Sequence, residues 1–330
     1  MSMQAMAGKR VLVVRLGSMG DVIHALPAVA TLKHGLPGAE LWWLLSRRWA
    51  PLVEGNPFVD RLIGLESQGL GRFWEAWRRL RGARFSLAVD FQGLVQSALL
   101  ASLGRAERVY GFHQSQAREK LAALFYSNRV RAKTTHVVER NLELATAAGA
   151  SSILRRFHVP QGEPEGELPE GDYVLASPLA GWAFKQWPLE NYSVLGRGLR
   201  RQLGLPLVIC GPPESAPLLS GIPETHWLPA GIRGLIYATR RATAVVGVDS
   251  GPLHLAAALD KRGVAIYGPT DPVRNGPYGS SFTVLRSPEA VTTYKRRRQI
   301  APSMRAVTPE AVLQALAERL GAQRAAGCRL

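Results

Sequence analysis

Asp21 follows a short apolar run and a glycine-flanked turn, in Leu16-Gly-Ser-Met-Gly-Asp21-Val-Ile-His24. From such a position a carboxylate can take a proton from a bound hydroxyl. The preceding Arg10-Val-Leu-Val-Val-Arg15 has the β-branched character of a buried parallel strand. After the turn, Val22, Leu26, Val29 and Leu32 recur at helical spacing. Asp21 therefore stands at the carboxyl end of the first strand, where open parallel sheets bind ligands. A carboxylate there also suits a helix cap, and the turn by itself does not separate the two roles.

A second turn of the same kind lies far downstream, in Val245-Val-Gly-Val-Asp249-Ser250-Gly251-Pro252-Leu-His254. Pro252 fits a first helical turn, where a missing N–H costs nothing. Ser250 and Gly251 let backbone donors approach a ligand at the positive end of the following helix, which suits an anion such as a diphosphate. Two such turns, each opening an α/β half, form a more specific pattern than either alone.

The elements that must hold these turns alternate along the chain. In the first half we expect strands at 10–15, 40–45, 61–65 and 86–90, with helices at 21–35, 47–55, 93–104, 115–126 and 136–149. A basic amphipathic stretch runs from 69 to 81. Residues 151–172, rich in proline, glycine and acidic side chains, read as a linker. The alternation then restarts, with strands at 173–177, 206–210, 244–248 and 263–267 and helices at 190–203, 231–242 and 252–259. A last helix spans 308–320 behind a Thr308 cap. This predicts an α/β fold of two doubly wound parallel-sheet domains, 1–160 and 161–330, with a cleft between them. The final helix has the option of packing back on the first domain.

Composition is that of a soluble globular protein: 330 residues, 46% hydrophobic and 20% charged. The net charge of +16 fits either a merely basic surface or an anionic partner: nucleotide diphosphate, phospholipid or nucleic acid. No nucleic-acid-binding motif accompanies the charge, so no nucleic-acid partner is expected. The two cysteines, Cys210 and Cys328, give neither a disulfide framework nor a metal site. With no apolar run of spanning length and no secretory core, the chain is expected in the cytoplasm, and residues 1–8 carry no structural signal. A nicotinamide dehydrogenase would share the fold, but Gly17-Ser-Met-Gly20 is not its glycine fingerprint and no acidic residue closes strand two.

The Asp21 and Asp249 turns, Val89-Asp-Phe-Gln-Gly-Leu-Val-Gln-Ser97, Gln116-Ala-Arg118-Glu-Lys-Leu-Ala-Ala-Leu-Phe-Tyr126, His136-Val-Val-Glu139-Arg140, Lys185-Gln-Trp-Pro188 and Tyr267-Gly-Pro-Thr-Asp-Pro272 follow one another in a familiar order. In these segments the chain resembles the lipopolysaccharide heptosyltransferases, the ADP-heptose glycosyltransferases of family 9. The Gln92 and Arg118 segments point to the branch that adds the first heptose. The resemblance implies the GT-B fold, two Rossmann-like domains facing a cleft, with the acceptor on the first and the nucleotide sugar on the second. It also implies an inverting transfer of heptose from ADP-heptose to Kdo of Kdo2-lipid A, without metal or cofactor, at the inner face of the inner membrane.

On that resemblance Asp21 is the base. Lys185, Asp249, Ser250, Gly251, His254, Glu214 and Thr270 fall on the donor side. Ser18, Gly20, Asp90, Gln92, Arg118, His136 and Arg140 fall on the acceptor side. Taken alone, each of these has a plainer reading: Asp90 as a helix cap, His254 as a packed histidine, Thr270 as part of a turn, and the arginines as solvated surface. Two departures bear on substrate detail. The basic stretch 69–84 is shorter than the family's acceptor loop, and Ser177-Pro-Leu-Ala-Gly-Trp182 is less polar than the family's donor loop. Rival functions are a heptosyltransferase with a later core-sugar or protein acceptor, and a non-catalytic lipopolysaccharide-binding protein that kept the fold.

Overall fold

The computed structural model describes residues 8–67, 69–293 and 295–327, with side chains of the last helix through residue 321. Residues 1–7 and Cys328 lie outside the described residues. The chain divides into two compact units, Met1–Pro160 and Gln161–Leu330.

In the first unit β1 (Arg10–Val14), α1 (Met19–Gly35), β2 (Glu40–Ser46), β3 (Arg61–Leu65), α2 (Gly71–Leu80), β4 (Leu87–Asp90), α3 (Val95–Leu103), β5 (Arg108–Phe112), β6 (Asn128–Val130) and α4 (Val137–Ala147) follow in order. The strands form a parallel sheet in the order β3-β2-β1-β4-β5-β6. Chain order reverses between β1 and β4, so their carboxyl ends flank the crevice where doubly wound sheets bind ligands. Nearly every residue of α1 is buried, consistent with a sequence that is apolar on most of its circumference.

The second unit repeats the plan. Its elements are β7 (Val174–Ser177), α5 (Leu189–Leu203), β8 (Leu207–Gly211), α6 (Ala216–Leu219), β9 (Thr225–Pro229), α7 (Ile232–Arg241), β10 (Ala244–Val248), α8 (Gly251–Ala258), β11 (Gly263–Tyr267), α9 (Pro272–Asn275), β12 (Phe282–Arg286), α10 (Pro302–Arg305) and α11 (Pro309–Gly327). The order β12-β11-β10-β7-β8-β9 reverses between β7 and β10. Thr308 accepts the Ala311 N–H at 3.3 Å, the expected cap. Val312 and Leu316 of α11 are fully buried in the second unit's own core.

Two expected helices are corrected. The helix at 47–55 is a single 3₁₀ stretch, Arg47–Leu52, with Pro51 inside it. The helix at 115–126 reduces to a 3₁₀ turn over Lys120–Phe125. There the backbone donors are used across the chain instead of along it: Glu119 N–H donates to Gly93 C=O at 2.9 Å. Gln116 is held at both ends of its amide by Ala132, at 2.8 Å each. The strands β5, β6, β9 and β12 add to those the sequence predicts. Each is short, mixed in polarity and completed by its neighbour's ladder.

Candidate active site

Val14 of β1 pairs with Asp90 of β4, and everything around Asp21 is stitched across that pair. Arg15, buried at the end of β1, donates one guanidinium nitrogen to Phe91 C=O and pairs through another with the Asp21 carboxylate. Leu16 N–H donates to the Gln92 amide oxygen at 2.7 Å. The β1–α1 turn is thus clamped to the end of β4 before α1 begins.

Asp21, in the first turn of α1, accepts the N–H of the capping residue Ser18 at 2.9 Å and its hydroxyl at 3.1 Å. Asp21 thus caps the helix while its side chain stays 26% exposed. Burial raises the pKa of this carboxyl, but Arg15, the Ser18 N–H, Arg118 and the Ser18 hydroxyl outweigh it and hold the group below the usual carboxylate value. The positive end of α1 acts in the same sense. Gly20 is buried between Ser18 and Asp21 in that first turn.

Arg118 comes to this carboxylate from the loop after β5, its guanidinium 3.8 Å from Asp21. The loop is held there by Gly93, whose C=O takes the Glu119 N–H, while the Glu119 carboxylate accepts the Val95 N–H at 2.7 Å. Gly93 has φ 71°, and a Cβ on it would come within 3.2 Å of the Arg118 nitrogen. Arg140, on α4, donates to Gln116 C=O at 3.3 Å and stacks over Phe112. His136 caps α4, its Nδ1 accepting the Val138 N–H at 3.2 Å, and sets its ring edge-on to His24.

Asp90 and Gln92 stand differently from what the resemblance implies for acceptor binding. Asp90 is fully buried and accepts from Tyr126 and Ser97 hydroxyls, both at 2.7 Å, and from the Gln92 N–H at 2.8 Å. Burial prevails over these donors and raises its pKa. The geometry makes Asp90 the post beneath the turn and spends the Gln92 amide oxygen on Leu16. Asp90 is not the cap of α3, whose N-cap is Leu94.

In the second unit the candidates gather at adjoining strand ends. Asp249 follows β10, Lys185 follows β7, Glu214 follows β8 and Thr270 follows β11. The Lys185 ammonium lies 3.0 Å from one Asp249 oxygen and the His254 Nε2 lies 3.4 Å from the other. Burial raises the Asp249 pKa, but the His254 contact and the Lys185 charge prevail and hold it well below the usual carboxylate value. His254 is accordingly packed and paired inside α8. The Lys-x-Trp-Pro pattern has a local cause: Trp187 is fully buried, donates to Val307 C=O at 2.8 Å and anchors the loop, and Pro188 caps α5.

Ser250 caps α8, with Gly251 as its first residue. Among the described residues the buried Ser250 and Thr270 hydroxyls have no hydrogen-bond partner, an arrangement suited to a ligand's oxygens. Glu214 is exposed on the 3₁₀ turn Pro213–Ser215 and is not drawn into this cluster. Asp271 caps α9. Among the described residues no group of histidine, cysteine, aspartate and glutamate has the arrangement of a metal site.

Three further residues contact the candidates and lie outside the expected set: Arg15, Trp182 and Arg296. In sequence Arg15 is the end of a strand, and an arginine closing an otherwise apolar run is its available signal. Lys185 and Arg296 both lie 5.1 Å from the Trp182 ring centre. The run Lys295-Arg-Arg-Arg298 was the signal for Arg296.

A family model described as glycosyltransferase family 9 (heptosyltransferase) matches residues 73–304, well over half the chain. The chain belongs to glycosyltransferase family 9. Among relatives of this family, lipopolysaccharide heptosyltransferase 1 of Escherichia coli (strain K12) is 31% identical over 310 residues, covering 84% of this chain and 94% of that protein. Two solved structures of the E. coli heptosyltransferase WaaC are also similar. The one with ADP has a TM-score of 0.73 at 28% identity, covering 94% of this chain and 99% of that one. The one with ADP-2-deoxy-2-fluoro heptose has a TM-score of 0.71 at 29% identity, with the same coverage. The family 9 member described here therefore has the GT-B fold, with its two parallel six-stranded sheets.

Proposed function

We propose that this glycosyltransferase moves L-glycero-D-manno-heptose from ADP-heptose to Kdo of Kdo2-lipid A, with inversion at the anomeric carbon and without a metal. The observation that carries the reading is the ionised, partly exposed Asp21 carboxylate held at the end of β1 by Arg15 and Ser18. The named relatives, lipopolysaccharide heptosyltransferase 1 and WaaC with ADP-2-deoxy-2-fluoro heptose, support the donor and the pathway.

Asp21 receives the proton of the Kdo hydroxyl as that oxygen attacks the anomeric carbon and the bond to ADP breaks. A single displacement of this kind inverts the centre, and the electron pair of the broken bond leaves with the diphosphate. Because its pKa is lowered, Asp21 is a modest base, and the proton moves late, when charge has already built on the acceptor oxygen. In the second unit Lys185, the Ser250 hydroxyl and the first turn of α8 stabilise the departing diphosphate. Thr270 and Asp249 orient the donor, and Gly251 allows its close approach. Glu214 is available to the ribose hydroxyls.

On the acceptor side Arg118, Arg140 and His136, with Ser18 and Gly20 beside the base, meet the carboxylates and phosphates of the glycolipid. The first unit, 1–160, is then the acceptor-binding domain and the second, 161–330, the donor-binding domain. No helix among the described residues is long and apolar enough to cross a membrane. We place the enzyme in the cytoplasm, on the inner face of the inner membrane and held there peripherally. The test is to incubate the protein with ADP-heptose and Kdo2-lipid A, follow ADP release and determine the anomeric configuration of the product. Heptosylated Kdo of inverted configuration supports the reading. ADP release only with another acceptor, or retention of configuration, overturns it.

A further inference from the structure

Helix α2 carries a face that neither the catalytic cluster nor the core uses. Ala76 and Leu80 turn into the first unit's core. Leu70, Trp74 and Trp77 are 86%, 60% and 46% exposed. Together with Arg81 they stand at positions i, i+4, i+7 and i+11, which share one side of a helix. Arg78 lies over the Trp74 ring at 4.6 Å and Arg81 over the Trp77 ring at 5.4 Å. The outward surface is therefore a strip of one leucine and two indoles with two guanidinium groups lying on the rings.

The acidic residue of the helix is turned to structural use. Glu75 accepts the Glu66 and Ser67 N–H groups at 3.1 and 2.9 Å and pairs with Arg79 at 3.4 Å. Glu66, which lines the same hollow as Trp74, Arg78 and Arg81, is paired with Arg47 at 3.6 Å, so the exposed strip keeps a net positive charge beside its large apolar area. A helix with tryptophan and leucine beside arginine fits the plane of a lipid headgroup layer, where indoles settle at the interface and guanidinium groups meet phosphates. The net charge of +16 favours a negatively charged partner at longer range.

We propose that α2 is an interfacial docking helix for an anionic phospholipid bilayer, with Leu70, Trp74 and Trp77 entering the headgroup region and Arg78 and Arg81 engaging lipid phosphates. The helix packs on α3, and Arg72 joins the two by donating to Gln96 at 3.2 Å. Just before α3, Gly93 holds the loop that carries Arg118. Docking through α2 would therefore bring the acceptor side of the first unit close to a lipid-borne substrate. The proposal rests on the reading of a lipid-borne acceptor for its purpose. Its chemistry is tested without that acceptor.

The experiment is sedimentation of the full chain with vesicles of phosphatidylcholine, with and without phosphatidylglycerol, for the wild type, Trp74→Ala/Trp77→Ala and Arg78→Glu/Arg81→Glu. The wild type is expected to prefer the phosphatidylglycerol vesicles by about tenfold or more, and each double variant to lose most of that preference. Circular dichroism and melting curves check that the variants keep their fold, since Ala76 and Leu80 are untouched. Amide hydrogen exchange on the wild type gives a second measurement, with residues 70–81 slowing on the anionic vesicles. Unchanged binding by the variants, equal binding to phosphatidylcholine alone, or no slowing at 70–81 overturns the proposal. So does a wild-type dimer that Trp74→Ala/Trp77→Ala converts to monomer, which would give the face to a second copy. Because these vesicles contain neither donor nor Kdo, failure here leaves the heptosyl-transfer reading intact. Failure of ADP release leaves the docking result standing.

Discussion

Arg15 and Asp21 form an ion pair that runs from the buried end of β1 to the partly exposed first turn of α1. The same guanidinium donates to Phe91 C=O, so one cation fixes both the Asp21 carboxylate and the adjoining end of β4. Such a group keeps a carboxylate ionised and aimed.

Arg15→Met should therefore alter the acid limb of the rate profile. Arg15 lowers the Asp21 pKa, so its removal raises that pKa and moves the acid limb of kcat/KM to higher pH, while Arg15→Lys restores part of the shift. Loss of this charge-assisted contact, with Ser18 and Arg118 still on the carboxylate, should also cost about 2 kcal/mol of stability, measurable by urea unfolding. An unmoved acid limb would mean that Asp21 does not set it.

The same pair makes stability depend on pH. The Asp21 pKa is lower in the folded chain than in the unfolded one, so its contribution is complete above the unfolded value and is lost as pH falls through the folded value. The melting-temperature gap between the wild type and Asp21→Asn should be full at neutral pH and close below about pH 4. A gap that widens on acidification would contradict the ion pair.

Lys185→Ala should weaken ADP-heptose binding by about tenfold to a hundredfold, the range expected for a lost charge-assisted hydrogen bond. Lys185→Arg should recover part of it. On the proposed roles of Lys185 and the Ser250 turn in stabilising the leaving diphosphate, the wild-type rate should survive exhaustive EDTA. Titration calorimetry and ADP release check the two halves. A rate abolished by EDTA and restored by magnesium would remove Lys185 from that role.

How much of this was legible beforehand follows from where each signal resides. Local patterns carry the Asp21 and Asp249 turns, because a β-branched strand, a small-residue turn and a helix start are all written within a dozen residues. The Lys-Gln-Trp-Pro segment carries no such local signal and stands out only through the family resemblance; its tryptophan is a core anchor. Asp90 was not legible as the post under the turn, since its partners Ser97 and Tyr126 come from α3 and the chain before β6. The Arg118 loop departs from the expected helix at 115–126 because tertiary hydrogen bonds to Gly93 and Ala132 decide its shape. Arg15 was hidden by its position in a strand, where only the pairing of β1 with β4 shows what it reaches.

Salt should distinguish the two substrates. Lys185 is 16% exposed and already close to a buried carboxylate, whereas Arg118 is 51% exposed. Exposed charges lose reach as the Debye length falls to about 4 Å near ~0.5 M salt. The acceptor KM should therefore rise more steeply with ionic strength than the ADP-heptose KM. Parallel increases would assign the positive charge no part in acceptor binding.

The central claim is that Asp21 takes the acceptor proton. The most direct measurement compares Asp21→Asn with the wild type in turnover and in ADP-heptose affinity, on the same preparations. The account predicts a fall in kcat of about 10²–10⁴-fold, with the donor Kd changed by no more than a few-fold. A variant that keeps about a tenth or more of the wild-type turnover, or that loses donor binding in proportion to rate, would contradict it.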